Sequence, residues 1–172
     1  MDIAVVIPLF NGEEWIRSTL ESVTEQSCAP SEVIVVDDGS TDASPSIARS
    51  FSEVRLLENP GNGPASARNH GSRATEAEAI AFLDQDDLWH PDHLKTLSRA
   101  LEAHPDAAGA FSRITSFRSS STPQFAVDSG SSRLYNPWED YPRNVLGQPV
   151  GGLLRREPYE QVDRWPTHFS GC

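Results

Sequence analysis

A short apolar run over residues 79–83 ends in three carboxylates, Asp84, Asp86 and Asp87. The run lies between two helical patterns, and its length predicts a buried strand rather than a long helix. The carboxylates then lie just past the carboxyl end of that strand, where open α/β sheets bind their ligands. Because close carboxylates raise each other's pKa, we expect a divalent metal ion or a positively charged ligand among them. Helix capping would explain one such residue, but it is the weaker interpretation for three.

The other apolar runs predict an α/β domain whose central sheet is mostly parallel, with helices on both faces. Runs 3–8 and 33–36 are continuous and β-branched, as in strands buried on both sides. The run 54–57 is less apolar, which favours a strand near the edge of the sheet. Further strands are predicted at 107–111 and at 151–154, the latter followed by the basic pair Arg155 and Arg156, and short helices are predicted at 44–51 and 158–162.

A second pair of carboxylates, Asp37 and Asp38, directly follows the strand predicted at 33–36. Residues 40–42 are good helix caps, so part of this segment is explained by the start of a helix. Two adjacent aspartates at the strand end exceed what capping requires. Because parallel strands end at one edge of a sheet, we expect Asp38 and the 84–87 segment to lie together there.

Two loops indicate how the neighbouring helices begin. Asn11 is a candidate N-cap, which would place Glu13 and Glu14 in the positively polarised first turn of the first helix. Pro64 suits the first position of a later helix, and Arg68 lies one turn into it. A lone arginine is most often a surface group, but close to a metal cluster it could pair with a phosphate or a base edge. The loop before Pro64 matches neither of the common glycine-rich nucleotide-binding motifs.

Three histidines, His90, His93 and His104, lie around the helix that follows the acidic segment. They could be imagined as metal ligands, but their positions at the two ends of a helix suit surface or capping roles better. Cys28 and Cys172 have no metal-ligand spacing, so we expect two reduced thiols without a role in the chemistry.

The composition limits the classes of partner. The 172 residues suffice for one domain, and the net charge of -11 argues against nonspecific binding to nucleic acid or to an anionic membrane surface. No apolar stretch approaches the length of a transmembrane span, and no basic region precedes the first strand, which predicts a cytoplasmic protein.

The C-terminal third differs in character. Residues 118–133 are rich in serine and poor in apolar side chains, which predicts a mobile loop or an irregular excursion of the chain. Residues 134–147 carry aromatic residues among prolines and suit either a binding rim or packing beneath a long loop. We expect Trp165 and Phe169 to be partly uncovered and to favour a homo-oligomer.

Four stretches in this order resemble the family 2 glycosyltransferases of the GT-A fold, namely VIPLFN at 6–11, VVDDGSTD at 35–42, ASARNHG at 65–71 and FLDQDD at 82–87. The resemblance covers nearly the whole chain. It implies a GT-A domain with inverting transfer of a sugar from a nucleoside diphosphate sugar, expected to be a UDP-sugar, to a hydroxyl of a carbohydrate or other acceptor. A nucleotide-sugar-binding module without transfer activity is the alternative. A related nucleotidyltransferase is disfavoured because no basic, glycine-rich phosphate loop follows the first strand.

The resemblance also implies roles for residues of the first two units. Pro8, Phe10 and Asn11 would line the nucleotide pocket. Asp37 and Asp38 would belong to the substrate site, with Asp38 meeting the base.

Further along the chain, the resemblance places Arg68 beside the base or a phosphate and makes the 84–87 segment the metal (DXD) motif. Asp84 and Asp86 would contact substrate, and Asp86 or Asp87 would bind Mn²⁺ or Mg²⁺. Such an ion neutralises the leaving nucleoside diphosphate, and oxygen-only ligands select hard cations.

One departure from the family pattern concerns the general base. The family places an acidic pair shortly after a segment similar to 151–171, so the base is expected just beyond Cys172, with Glu139 or Asp140 as alternatives. We therefore expect the N-terminal part of a longer enzyme. Residues 1–112 would form its nucleotide-binding core, and residues 113–172 a mobile loop and the start of the acceptor side.

Overall fold

The structure is a computed structural model that describes residues 1–112 and 151–161. Its strands are β1 (Ile3–Leu9), β2 (Glu32–Asp37), β3 (Val54–Glu58), β4 (Ala79–Phe82), β5 (Gly109–Phe111) and β6 (Gly152–Arg155). Its helices are α1 (Ile16–Thr24), α2 (Ser44–Arg49), α3 (Pro64–Arg73), α4 (His93–Ala103) and α5 (Arg156–Gln161).

The six strands form one sheet in the order β3-β2-β1-β4-β6-β5. The four strands from β3 to β4 are parallel, whereas β6 runs antiparallel to both β4 and β5. The mostly parallel α/β sheet predicted from the sequence is therefore confirmed, and β3 lies at one edge as its weaker apolar character indicated.

The core has two layers, one on each face of the sheet. Alternate residues of a strand point to opposite faces, so Val5 and Ile7 pack in one layer and Val6 in the other. The first layer also receives the buried side chains of α1, α2 and α4, and the second receives those of α3 and α5. Helices therefore cover both faces, and the carboxyl ends of the parallel strands remain available at one edge.

Strand order reverses between β1 and β4, which makes this the switch point where open α/β sheets bind ligands. Pairing of β1 with β4 ends at Val6 and Phe82, followed by one bond from the Leu83 N–H to the Val6 carbonyl. Pro8 is the next residue of β1 whose backbone faces β4, and it has no N–H to donate. Regular pairing between the two strands therefore cannot continue at Pro8.

Helix α3 lies unusually close to the sheet because of Gly71. A Cβ at this position would come within 2.4 Å of Val6 Cγ1 and 3.1 Å of Val36 Cγ2. The absence of a side chain at Gly71 therefore allows a close approach of helix to strand. Arg68 lies on the same helix, and its side chain reaches Asp84, which follows β4.

Two adjacent arginines attach β6 to the rest of the domain. The Arg155 side chain donates to the carbonyls of Leu101 and Ala107, and Arg156 donates to carbonyls that include those of Thr75 and Ala77. The predicted basic pair thus binds backbone oxygens. It ties the last strand to the connections around α3 and α4.

Two predictions about helix ends are wrong. Helix α1 begins at Ile16 with Trp15 as its N-cap, and neither Glu13 nor Glu14 lies in its first turn. Asn11 has a φ of 49°, and its side chain contacts a different loop instead of the helix. The physical reason is a turn before the helix, in which the Gly12 carbonyl accepts hydrogen bonds from the N–H groups of Trp15 and Ile16.

The prediction for His93 is also wrong. This histidine is buried with 8% of its surface exposed, and its ring stacks on that of Trp89 at a centroid distance of 4.5 Å. Burial, followed by the charge of His90, lowers the pKa of His93 to about 4.

Several predictions fall outside the described residues, namely the mobile loop at 118–133, the aromatic segment at 134–147, Glu139, Asp140, Trp165, Phe169 and Cys172. Within residues 1–112 and 151–161, no helix is long and apolar enough to cross a membrane.

Candidate functional site

Three loops meet at the carboxyl edge of the sheet, after β1, β2 and β4. The β1 and β2 loops are joined by reciprocal hydrogen bonds. The Thr41 N–H donates to Asn11 Oδ1 at 2.8 Å, the Glu13 N–H donates to Asp42 Oδ2 at 3.0 Å, and the Ala43 N–H donates to Glu13 Oε2 at 2.9 Å. The polar residues of these loops therefore hold one another in place.

The Asp38 carboxylate organises the loop that follows β3. Its Oδ1 accepts a hydrogen bond from the Asn59 side chain, and its Oδ2 accepts one from the Gly63 N–H at 2.8 Å. A carboxylate has about four lone-pair sites, so Asp38 keeps capacity for a ligand. Asp37 bonds within its own loop, where it accepts from the Ser40 N–H at 3.1 Å.

Arg68 and Asp84 form an ion pair just beyond the carboxyl end of β4. The side chains are 11% and 32% exposed, so both are only partly accessible to solvent. The pair combines charge attraction with a hydrogen bond, which fixes the arginine more firmly than a neutral contact would. Helix α3 thereby holds the start of the acidic segment.

The remaining two carboxylates of the segment differ from Asp84. Asp86 is exposed and Asp87 is partly buried, and no residue in 1–112 or 151–161 donates a hydrogen bond or forms an ion pair with either carboxylate. Burial, followed by the charges of Asp84 and Asp86, raises the pKa of Asp87 to about 6. This part of the site therefore carries negative charge that described protein groups do not compensate.

The donor set fits a hard divalent cation in one specific way. In the described part of the chain, no group of three His, Cys, Asp or Glu residues is close enough to hold a metal ion by itself. Mg²⁺ is commonly held by one or two carboxylates together with substrate phosphates and water. The carboxylates of Asp86 and Asp87 have the oxygen chemistry that such an ion would require, and a cation there would offset the burial and the neighbouring negative charges that raise the pKa of Asp87.

Sequence reasoning missed the residue that joins the acidic segment to the β1 loop. Gln85 accepts a hydrogen bond from the Phe10 N–H and donates one to the Phe10 carbonyl. Its position inside the acidic segment was visible, but nothing in the sequence indicated a partner so far away in the chain. Asn59, which holds Asp38, was missed for the same reason.

The predicted site residues are therefore placed in three groups. Phe10 and Asn11 lie on the β1 loop, where Phe10 is 55% exposed, while Pro8 is buried within β1. The second group is Asp37 and Asp38 on the β2 loop, and the third consists of Arg68, Asp84, Asp86 and Asp87 around the end of β4. The structure brings Arg68 to Asp84 and gives Asp38 no direct bond to the 84–87 segment.

Comparison with known proteins gives a consistent result. The model of the family described as "Glycosyl transferase family 2" matches residues 4–163. The putative glycosyltransferase EpsH of Bacillus subtilis (strain 168) is 35% identical over 101 residues, which cover 56% of this chain and 29% of EpsH.

Solved structures agree on the fold. The superposition on residues 1–349 of S. aureus TarS includes 100% of this chain and 52% of the TarS chain, with a TM-score of 0.80 and 22% sequence identity. A second similar structure is mannosyltransferase PcManGT from Pyrobaculum calidifontis, solved in complex with GDP-Man and Mn²⁺. The superposition includes 96% of this chain and 48% of the PcManGT chain, with a TM-score of 0.68 and 25% sequence identity. These likenesses confirm the predicted GT-A fold, and the chain spans about half the length of these proteins or less.

Proposed function

Because the chain belongs to glycosyltransferase family 2, we propose that it binds a nucleoside diphosphate sugar and serves in the transfer of that sugar to an acceptor hydroxyl. The observation that carries this proposal is the set of polar and acidic loops at the carboxyl ends of β1, β2 and β4. In open α/β sheets, ligands bind at that edge and at the switch point.

The nucleoside would lie over the β1 and β2 loops. Asp38 keeps acceptor capacity for donor groups of a base, because only two hydrogen bonds from the described residues reach its carboxylate. The exposed Phe10 and the neighbouring Asn11 would complete this half of the pocket. Asp37 would stabilise the β2 loop through its hydrogen bond from the Ser40 N–H. TarS has been solved with UDP and with UDP-GlcNAc, which supports a UDP-sugar as the first donor to test.

The diphosphate would lie over the end of β4. Asp86 and Asp87 would hold Mn²⁺ or Mg²⁺, and the complex of PcManGT with GDP-Man and Mn²⁺ supports this assignment. When bound, such an ion stabilises the negative charge that develops on a leaving nucleoside diphosphate. Asp84, held by Arg68, would contact the ribose, and Arg68 adds positive charge near the base or the phosphates.

The transfer itself would be a direct displacement at the anomeric carbon of the sugar, as the family resemblance implies. The acceptor oxygen would form the new bond while the bond to the diphosphate breaks, its proton would pass to the general base, and the diphosphate would leave with the bonding electron pair, so the configuration inverts. The acceptor is proposed only as a hydroxyl compound, carbohydrate or other.

Isothermal titration calorimetry with UDP, in the presence of Mn²⁺ and of EDTA, tests the proposal. We expect Mn²⁺ to strengthen UDP binding, and Asp86→Asn or Asp87→Asn to reduce that gain by ~10-fold or more, because each removes an anionic oxygen ligand. Asp92→Asn is the matched control, since Asp92 bonds Ser27 and Lys95 at the start of α4. If Mn²⁺ strengthened UDP binding equally in the wild type and in all three variants, Asp86 and Asp87 would not be the metal ligands. If the wild type bound neither UDP nor GDP, the proposed donor site would be refuted.

A further inference from the structure

We propose that Gln85 is a positioning residue that couples metal binding to nucleotide binding. The inference rests on the proposed function, because it assumes that the β1 loop contacts the nucleotide and that Asp86 and Asp87 contact the metal ion. It adds a residue between these two subsites, whose side chain contacts neither ligand directly.

The Gln85 amide is bonded to a single backbone unit through both of its polar ends. The Phe10 N–H donates to Gln85 Oε1 at 2.7 Å, and Gln85 Nε2 donates to the Phe10 carbonyl at 3.0 Å. This pairing fixes the orientation of the amide, because exchanging its oxygen and nitrogen would oppose donor to donor and acceptor to acceptor. The main chain of Gln85 is held too, since the Thr19 hydroxyl donates to its carbonyl at 2.7 Å.

The bond lies where the sheet itself no longer holds the two strands. Backbone pairing between β1 and β4 ends with the bond from the Leu83 N–H to the Val6 carbonyl, and Pro8 cannot continue it. Two residues after Pro8, the hydrogen bonds between Phe10 and the Gln85 side chain connect the two strands instead. They join the β1 and β4 loops at the switch point, between the proposed nucleotide and metal subsites.

The neighbours of each partner carry the inference. Gln85 stands between Asp84, which pairs with Arg68, and Asp86. Phe10 directly precedes Asn11, whose side chain binds the β2 loop. A shift of the Phe10 backbone would therefore shift the acidic segment, and ordering of either loop by its ligand would order the other.

Gly12 supports the same arrangement through its lack of a side chain. A Cβ at Gly12 would lie 2.7 Å from both Cδ and Oε1 of Gln85. The clash would fall on the end of a flexible side chain, so Gly12→Ala should displace the amide from Phe10 without disturbing the packed core. This substitution offers a second route to the same loss.

The test is the ratio of UDP dissociation constants measured in EDTA and in Mn²⁺. We expect Gln85→Met, which keeps the length of the side chain and removes both hydrogen bonds, to lower this ratio by ~10-fold, the size found when groups that orient metal ligands are removed. A residue that only supports the fold would lower the melting temperature and leave the ratio unchanged. The melting temperature of each variant is therefore measured alongside.

Gln26→Met is the matched control. The Gln26 side chain also bonds backbone groups at both ends, accepting from the Leu94 N–H at 3.0 Å and donating to the His90 carbonyl at 2.7 Å. Its loss should destabilise the domain without changing the ratio. An equal fall of the ratio in Gln26→Met would overturn the specific role of Gln85.

A double-mutant cycle with Gly12→Ala completes the test. The single variant Gly12→Ala should lower the ratio, but it should have no further effect in Gln85→Ala, where no long side chain remains to be displaced. Additive effects, or an unchanged ratio in Gln85→Met, would overturn the inference while metal-dependent UDP binding by the wild type stands. Failure of the wild type to bind either UDP or GDP, in Mn²⁺ or in EDTA, would overturn the proposed function and this inference together.

Discussion

The two acidic strand ends have the same signature in the sequence and opposite situations in the structure. After β2, the Asp38 carboxylate accepts hydrogen bonds from the Asn59 side chain and the Gly63 N–H. After β4, the Asp87 carboxylate has no such donor among the described residues, and its pKa is raised to about 6 by burial and by the neighbouring charges.

The difference shows what an aspartate after a strand can do. Where the protein supplies donors, the carboxylate orders a loop and contributes to stability. Where it supplies none, the carboxylates repel one another and the protein is less stable until a cation arrives. Asp84 lies between these cases, because Arg68 compensates its charge from within the chain.

The largest expected effect is on the Asp38 side of the comparison. Asp38→Ala should lower the free energy of unfolding by about 3 kcal/mol, because it removes two hydrogen bonds to a charged acceptor and leaves their donors unpaired. Urea denaturation at pH 7 in EDTA measures the change. Asp38→Asn keeps one acceptor oxygen and should lose less, and a loss below about 0.5 kcal/mol in Asp38→Ala would remove the contrast.

His93 should make the stability of the domain depend on pH. This contribution must be known before stabilities measured in acid are used to compare the two acidic strand ends. The lowered pKa means that the unfolded chain binds the proton more tightly than the native protein. The resulting stability is complete above pH 6.5 and is lost as the pH falls towards 4, with about 2 kcal/mol lost at pH 5.

The variant His93→Phe should flatten this part of the pH profile, because it has no group to protonate. Urea denaturation of both proteins at pH 7 and pH 5 measures the difference. A wild-type profile as flat as that of the variant would show that His93 is accessible to protons in the native state.

On the Asp87 side, neutralising the carboxylate should stabilise the protein in the absence of metal. We expect Asp87→Asn to raise the free energy of unfolding by about 1 kcal/mol at pH 7 in EDTA, because it relieves repulsion from two neighbouring carboxylates in a partly buried place. Mn²⁺ should then stabilise the variant less than it stabilises the wild type. A destabilised variant would mean that Asp87 has a bonding partner in the folded protein.

The smallest expected effect is that of Asp86→Asn. Asp86 is exposed, so its repulsion is screened by solvent, and the change in unfolding free energy should stay within about 0.5 kcal/mol in EDTA. Thermal denaturation of Asp86→Asn beside Asp87→Asn measures the contrast within the same loop. Equal shifts in both would show that burial does not distinguish the two carboxylates.

Much of the fold could be predicted because burial determines the pattern of residues along each element. The β-branched runs become β1 and β2, and Leu94, Leu97 and Leu101, at helical spacing in the sequence, face the core from α4. The acidic strand ends were also visible, since they interrupt apolar runs.

The rest depends on partners that are distant in the sequence. Asn11 looked like a helix cap because local rules see only its neighbours, yet its side chain bonds Thr41, thirty positions away. His93 looked like a surface residue because its burial depends on stacking against Trp89 in the folded protein. Gln85 gave no signal, because its role is set by Phe10 in another loop.

The position of β1 also determines how the domain should respond in amide hydrogen exchange. All seven residues of β1 are buried, and the strand is paired on both sides, whereas β3 is partly exposed at the edge of the sheet. Amides of β1 should therefore exchange only through global unfolding, while those of β3 should exchange through local opening. The most protected strand thus leads directly into the proposed nucleotide loop, so protection gained on ligand binding should begin abruptly at Phe10.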